Sequence, residues 1–209
     1  VNIPETNYLP VESWLANRLG RHLSGLRDEN PDLQLGPDGK VAVLVSEHED
    51  SWRLEGFTCS LQQKEGADDL ALHRAVRVSL EEKVASLAGG FPGLAQYVPE
   101  KIFVNGAGNF DVGGPEGDNG LSGKKLVVDA YGTRVPIGGG ALSGKDFYKV
   151  DRAGALHARR VAKAAVLTGT ARQALVKLIW YPGDSQARLF SIENESGEQV
   201  LELRIGYDR

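Results

Sequence analysis

Three times along this chain of 209 residues, a segment with helical apolar spacing gives way to strand spacing. That switch of period limits the fold to layers of helix and sheet. In "PVESWLANRLGRHLSGLR", residues 10–27, Val11, Leu15, Leu19, Leu23 and Leu26 fall on one stripe. Pro10 suits the first turn of such a helix, and Glu12 favours its positive end. "NPDLQLGPDGK" ends the helix, and "KVAVLVS" and "WRLEGFTCSL" read as strands around the polar turn "EHEDS". A second helix over residues 68–87 takes Asp68 as its cap and Leu72, Val76, Leu80, Val84 and Leu87 as its apolar face. "AGGFPG" stops it and "EKIFVN" reads as a further strand, giving the order α-β-β-α-β to residue 108.

The second half opens with glycine-rich sequence around one apolar run, "KKLVVDAY", which reads as a strand. Asp151 is placed to cap the helix "RAGALHARRVAKAAVLTG", which stops at Gly169. "QALVKLIWY", "ARLFSIE" and "QVLELRI" read as three strands joined by the turns "PGDSQ" and "NESGE". The fold class is therefore α/β (α+β), built from repeated β-α-β-β-type units. A first unit spans residues 1–108. A glycine-rich phosphate-loop unit, with a helix and antiparallel strands, spans 109–209.

A hydrophobic fraction of 41% supplies a core, and a formal net charge of −4 argues against a nucleic-acid partner. Any anion site must be local, built by a few focused lysines. The single cysteine, Cys59, lies in an apolar run, which excludes a disulfide framework and reads as core packing in a reducing, cytoplasmic compartment. No apolar run approaches the ~20 residues that span a bilayer, so no membrane association is expected. The opening "VNIPETNYLP" reads as neither a secretory signal nor a basic transit segment. His22, His48, His73 and His157 are scattered without metal-ligand spacing.

Two loops bracket the "KKLVVDAY" run: "GGPEGDNGLSGKK" before it and "GGGALSGKDFYKVDR" after it. Glycines allow close backbone approach, and consecutive N–H groups in such loops form concave anion sites. Lysines beside them point to phosphate. One such loop reads more simply as a turn with solvated lysines; two around one strand favour a phosphate site. "GGALSGK", residues 139–145, fits the spacing of a P-loop. Asp146 stands where that motif needs Ser or Thr, and "DFYKVD" intervenes before the helix, so the P-loop reading fails. Ser122 and Ser143, although flanked by glycine, have no acid or histidine at a motif position to activate them.

The segment "FDVGGPEGDNGLSGKKLVVDAYG…IGGGALSGKDFYKVDRAGALHARRVAKAAV" resembles the signature region of the S-adenosylmethionine synthetases (methionine adenosyltransferases). That family carries GGPxGDxGLTGRK, VDTYGG and GGGAFSGKDPxKVDRSxAYxAR. Upstream, "ETNYLPVESWLANRLGRHLSGLR" is similar to its ETPELMPLPI helix, "GPDGKVAVLV" to RPDGKxQVTV and "TCSLQQ" to its VSTQH strand. The resemblance is collinear from Glu5 to about Gln173.

It implies that the two loops embrace ATP and its tripolyphosphate intermediate. Asp38 and Lys40 would contact nucleotide, Phe110 would lie against adenine, and Ala141 would line the nucleotide site. Asp118 would contact the nucleoside and methionine. Lys124, Lys125 and Lys145 would grip phosphates, Lys149 would lie near the methionine and phosphate end, and Asp151 would help hold Mg²⁺, with K⁺ as a further cation. Lys145, Lys149 and Asp118 would carry the catalytic roles. The implied reaction is displacement at the ribose C5′ by the methionine sulfur, with release of phosphate and pyrophosphate after tripolyphosphate hydrolysis. Alignment and charge neutralisation are then the protein's task.

Departures stand beside the matches. Lys124 replaces an arginine, Gln63 the histidine of STQH, Ile137 the histidine before GGG, and Phe147 the proline of GKDP. The family's N-terminal portion, with its HPDK segment, first metal aspartate, methionine-binding glutamate and lid, has no counterpart in these residues. The implied function is one component of a split or heteromeric methionine adenosyltransferase, partnered by a complementary N-terminal-half chain or a homo-oligomer. The alternative is a non-catalytic relative that binds nucleotide or polyphosphate, or serves as a scaffold.

Overall fold

The computed structural model describes residues 1–117, 131, 135, 145–181, 183–187 and 189–204. The chain divides into two compact units, Val11–Gly120 and Val1–Pro10 together with Leu121–Arg209. The first ten residues go with the second unit, and the division between the two falls after Gly120.

In the first unit, helices α1 (Val11–Glu29) and α2 (Asp69–Gly90) accompany strands β1 (Leu35–His48), β2 (Ser51–Gln63) and β3 (Phe103–Val104). The sheet order is β1-β2-β3, antiparallel between the first pair and parallel between the second. Leu15, Leu19 and Leu23 of α1 and Leu72, Val76, Leu80 and Val84 of α2 are buried as their spacing requires. They join Leu54, Phe57, Cys59 and Leu61 of β2, where burial alternates on either side of a register shift that separates Leu54 from Gly56. Each such aliphatic side chain contributes about 1.5–3 kcal/mol relative to exposure. Phe91 stacks between two indoles, edge-on to Trp14 at 5.7 Å and tilted on Trp52 at 5.2 Å. The predicted cap is present: Asp68 accepts the N–H groups of Leu70 and Ala71.

Three boundaries differ from the sequence expectation. The strand expected to begin near Lys40 starts at Leu35, so "GPDGK" is extended backbone rather than a helix-ending turn. The reason is pairing: Gly39 sits opposite Leu61, close enough that a Cβ would meet Leu61 Cδ2 at 3.0 Å. The "EHEDS" turn shrinks to Glu49 and Asp50, with Glu49 in the left-handed region at φ 55°. The strand read in "EKIFVN" is only Phe103–Val104. Beyond it, Asn105 continues the edge of β2 with its side chain: it accepts from Leu61 N at 2.8 Å and donates to Leu61 O at 3.1 Å. A short helical turn, α3 (Gly114–Gly117), ends the described part of this unit.

The second unit holds α4 (Val150–Leu167) and the antiparallel sheet β4 (Leu175–Ile179), β5 (Leu189–Glu193) and β6 (Gln199–Arg204), which fulfils the three-strand reading. α4 closes on a paired C-terminal motif. Gly169, at φ 73°, donates to Val166 O at 3.2 Å, and Thr170 donates to Ala165 O at 2.9 Å. Asp151 is not the cap. Lys149 takes that position with no side-chain cap bond, and Asp151 falls in the first turn. The N-terminal ten residues are fastened to α4, where Arg159 donates to the carbonyls of Asn7 and Tyr8 and Lys163 to Asn7 Oδ1. Of the expected "KKLVVDAY" strand, residues 124–130 lie outside the described residues, and Tyr131 is helical rather than extended.

Candidate functional site

Six of the residues singled out in the sequence lie among the described ones. Asp38, Lys40 and Phe110 belong to the first unit, and Lys145, Lys149 and Asp151 to the second. Asp118, Lys124, Lys125 and Ala141 lie outside the described residues, as do Ser122, Ile137 and Ser143.

In the first unit the structure brings Asp38 and the Phe110 segment together through one strand end. Gln62 Oε1 accepts Asp38 N–H at 3.3 Å, while its Nε2 donates to Asp111 O at 3.0 Å. Phe110 O accepts Gln63 N–H at 2.8 Å. The Asp38 carboxylate accepts Gly114 N–H at 2.7 Å, which ties the extended "PDGK" segment at the start of β1 to the start of the first glycine-rich loop. Gly113 is required at this join, because a Cβ there would stand 2.8 Å from both Asp38 Cβ and Gln62 Oε1. Gln62 is the residue that sequence reasoning missed. The alternation of β2 could have found it, since Gln63 points inward and Gln62 outward.

Gln63, which departs from the family's histidine, is only 5% exposed and donates to Leu33 O at 2.9 Å. Here its amide holds the turn after α1 in place. Lys40 is exposed and lines a cleft of about 300 Å³ between α1 and the start of β1, with Arg21 and Arg27 on the helix side. Arg27 is paired with Asp28 at 3.6 Å, which leaves Lys40 and Arg21 as the cations facing Asp38 in this cleft.

In the second unit, Lys145, Lys149 and Asp151 all lie at the entry to α4. Lys145 Nζ contacts Asp151 Oδ2 at 2.6 Å. Arg152 donates through Nη1 to Lys145 O and lies 5.3 Å over the ring of Phe147. Asp146 accepts Tyr148 N–H at 2.9 Å, and Phe147, which stands at the family's proline, projects outward at 67% exposure. Lys149 is exposed. Among the described residues, no three His, Cys, Asp or Glu side chains converge to hold a metal ion. Asp151 is instead engaged by a lysine, so the described residues do not by themselves fit a Mg²⁺ site.

Residues 112–205 match the S-adenosylmethionine synthetase C-terminal domain family. The chain is 36% identical over 205 residues to the S-adenosylmethionine synthase of Petrotoga mobilis, covering 95% of itself and 48% of that relative. It is 39% identical to the S-adenosylmethionine synthase of Corynebacterium jeikeium, covering 84% of itself and 43% of that relative. Against the S-adenosylmethionine synthase of Staphylococcus epidermidis, identity is 33%, with 95% and 49% covered. The chain spans about half the length of these curated relatives. The agreement extends well beyond the C-terminal domain, through the sheet that carries Asp38 and Lys40, and the chain belongs to the S-adenosylmethionine synthetase family.

Proposed function

We propose that the chain supplies the ATP- and tripolyphosphate-holding part of a split or heteromeric methionine adenosyltransferase acting in the cytoplasm. The carrying observation is coverage: the alignment takes in 95% of this chain and 48% of its relative, and this half retains Lys40, Lys145 and Lys149. Asp38, Lys40 and Ala141 contact the nucleotide and Phe110 meets the adenine. Lys124, Lys125 and Lys145 grip the phosphates, Lys149 lies near the methionine and phosphate end, and Asp118 meets the nucleoside and methionine. Mg²⁺, where bound, would supply charge neutralisation. Outward-facing Leu44 (67% exposed) and Phe103 (50% exposed) on the first sheet support association with that chain or with a second copy. Among the described residues no helix is long and apolar enough to cross a membrane.

A second reading rests on the internal pairing of two assigned acids. Asp38 is bonded to Gly114 N–H and Asp151 to Lys145, which also suits a relative that binds nucleotide without turning it over. Both readings require ATP binding. Titration calorimetry of the chain with ATP should give saturable heat that falls with added salt. A flat titration at low salt, with the complementary half of a relative present, would remove both.

A further inference from the structure

The resemblance makes Asp151 a metal ligand, yet its surroundings give it other work. Its carboxylate contacts Lys145 Nζ at 2.6 Å, with the side chains 37% and 27% exposed respectively. No cluster of three ligating side chains is present among the described residues. The next helix residue, Arg152, bonds the Lys145 carbonyl, so two adjacent residues of α4 hold one lysine by its side chain and its backbone. We infer that Asp151 is a positioning residue in this chain: the internal counter-ion that folds Lys145 against the start of α4, which a polyphosphate must displace. This rests on the phosphate reading of the loops.

The chemistry follows from charge. An ammonium held by a carboxylate is neutralised and less available to an incoming anion. The Arg152 bond leaves the Lys145 backbone in place while its side chain swings toward phosphate. Asp151 sits in the first turn of α4, where the helix dipole favours a negative charge even after Lys145 leaves. The carboxylate then stands beside the bound polyphosphate and opposes it. Removing that charge therefore strengthens anion binding in the absence of metal, the opposite of what the loss of a metal ligand does in its presence.

Inorganic tripolyphosphate is the probe, titrated into wild type, Asp151→Asn and Asp151→Glu with and without Mg²⁺. Without Mg²⁺, Asp151→Asn should bind about tenfold more tightly, an effect intermediate between screened and buried charge pairs. Asp151→Glu, which keeps the charge, should return toward the wild-type affinity. Mg²⁺ should change wild type and Asp151→Asn by the same factor. Equal or weaker binding by Asp151→Asn without Mg²⁺ overturns the inference, as does a Mg²⁺ effect present in wild type and lost in that variant. If neither wild type nor any variant binds tripolyphosphate, the phosphate reading itself fails and the inference falls with it.

Discussion

The carboxylate of Asp38 accepts the backbone N–H of Gly114 at 2.7 Å, fastening the start of β1 to a loop 76 residues further on. The bond is charge-assisted and part-buried. Asp38→Ala should destabilise the first unit by about 1–2 kcal/mol, toward the lower end for bonds to charged groups. Gly113→Ala should cost about 1–3 kcal/mol, because its Cβ would press on Asp38 and Gln62. Urea unfolding midpoints at constant m-value check both.

Gly154 tests packing against propensity. Replacing a mid-helix glycine with alanine ordinarily gains up to about 1 kcal/mol. Here the new Cβ would stand 3.0 Å from the indole of Trp180. Overpacking of that kind costs about 1–3 kcal/mol, so Gly154→Ala should lower stability on balance. A raised thermal midpoint would show that the Trp180 ring yields instead.

Cys59 gives a pH dependence. The thiol is buried in β2, and burial pushes its pKa from 9.0 up to about 12. Between those values the unfolded chain has lost the proton and the folded chain keeps it. Stability therefore falls as pH rises from about 9 toward 12, and this contribution is fully present below 9. Cys59→Ala should flatten that part of the stability–pH curve. Iodoacetamide at pH 8 should label Cys59 only after denaturant is added.

Much of the fold was legible because its helices carry continuous apolar stripes, and burial of Leu15, Leu19, Leu72 and Val76 obeys them. The Asp68 cap was legible because the partners of a cap are its own next residues. What escaped depends on distant chain. "GPDGK" has turn composition, yet it is extended because β2 lies alongside it. Asp151 has cap chemistry, yet Lys145 claims its carboxylate and the cap position falls to Lys149. At the candidate site, the motif singled out Asp38 and Lys145 but not the residues they contact. The alternation of β2 puts Gln62 on the outward face, but its bond to the Asp111 carbonyl, like that of Arg152 to the Lys145 carbonyl, depends on where other chain segments lie.

Lys145 and Lys149 should differ in their effect on polyphosphate. Lys145→Ala removes the ammonium that leaves Asp151 for phosphate in this reading and should weaken ATP binding by about 1.5–3 kcal/mol. Lys149 is exposed at the start of α4, and Lys149→Ala should cost less, about 0.5–1.5 kcal/mol, with a shallower salt dependence than wild type. Calorimetric titrations at two ionic strengths separate the two. Equal losses would mean that Lys145 has no special place.

Formation of S-adenosylmethionine from ATP and methionine is the measurement closest to the central claim, run on residues 1–209 alone and mixed with the N-terminal half of a relative. No turnover is expected from the chain alone, because metal and positioning must act together and losing either costs orders of magnitude in rate. Product is expected in the mixture, abolished by Lys145→Ala. Robust turnover by the chain alone, or none in any mixture while ATP still binds, would contradict that claim.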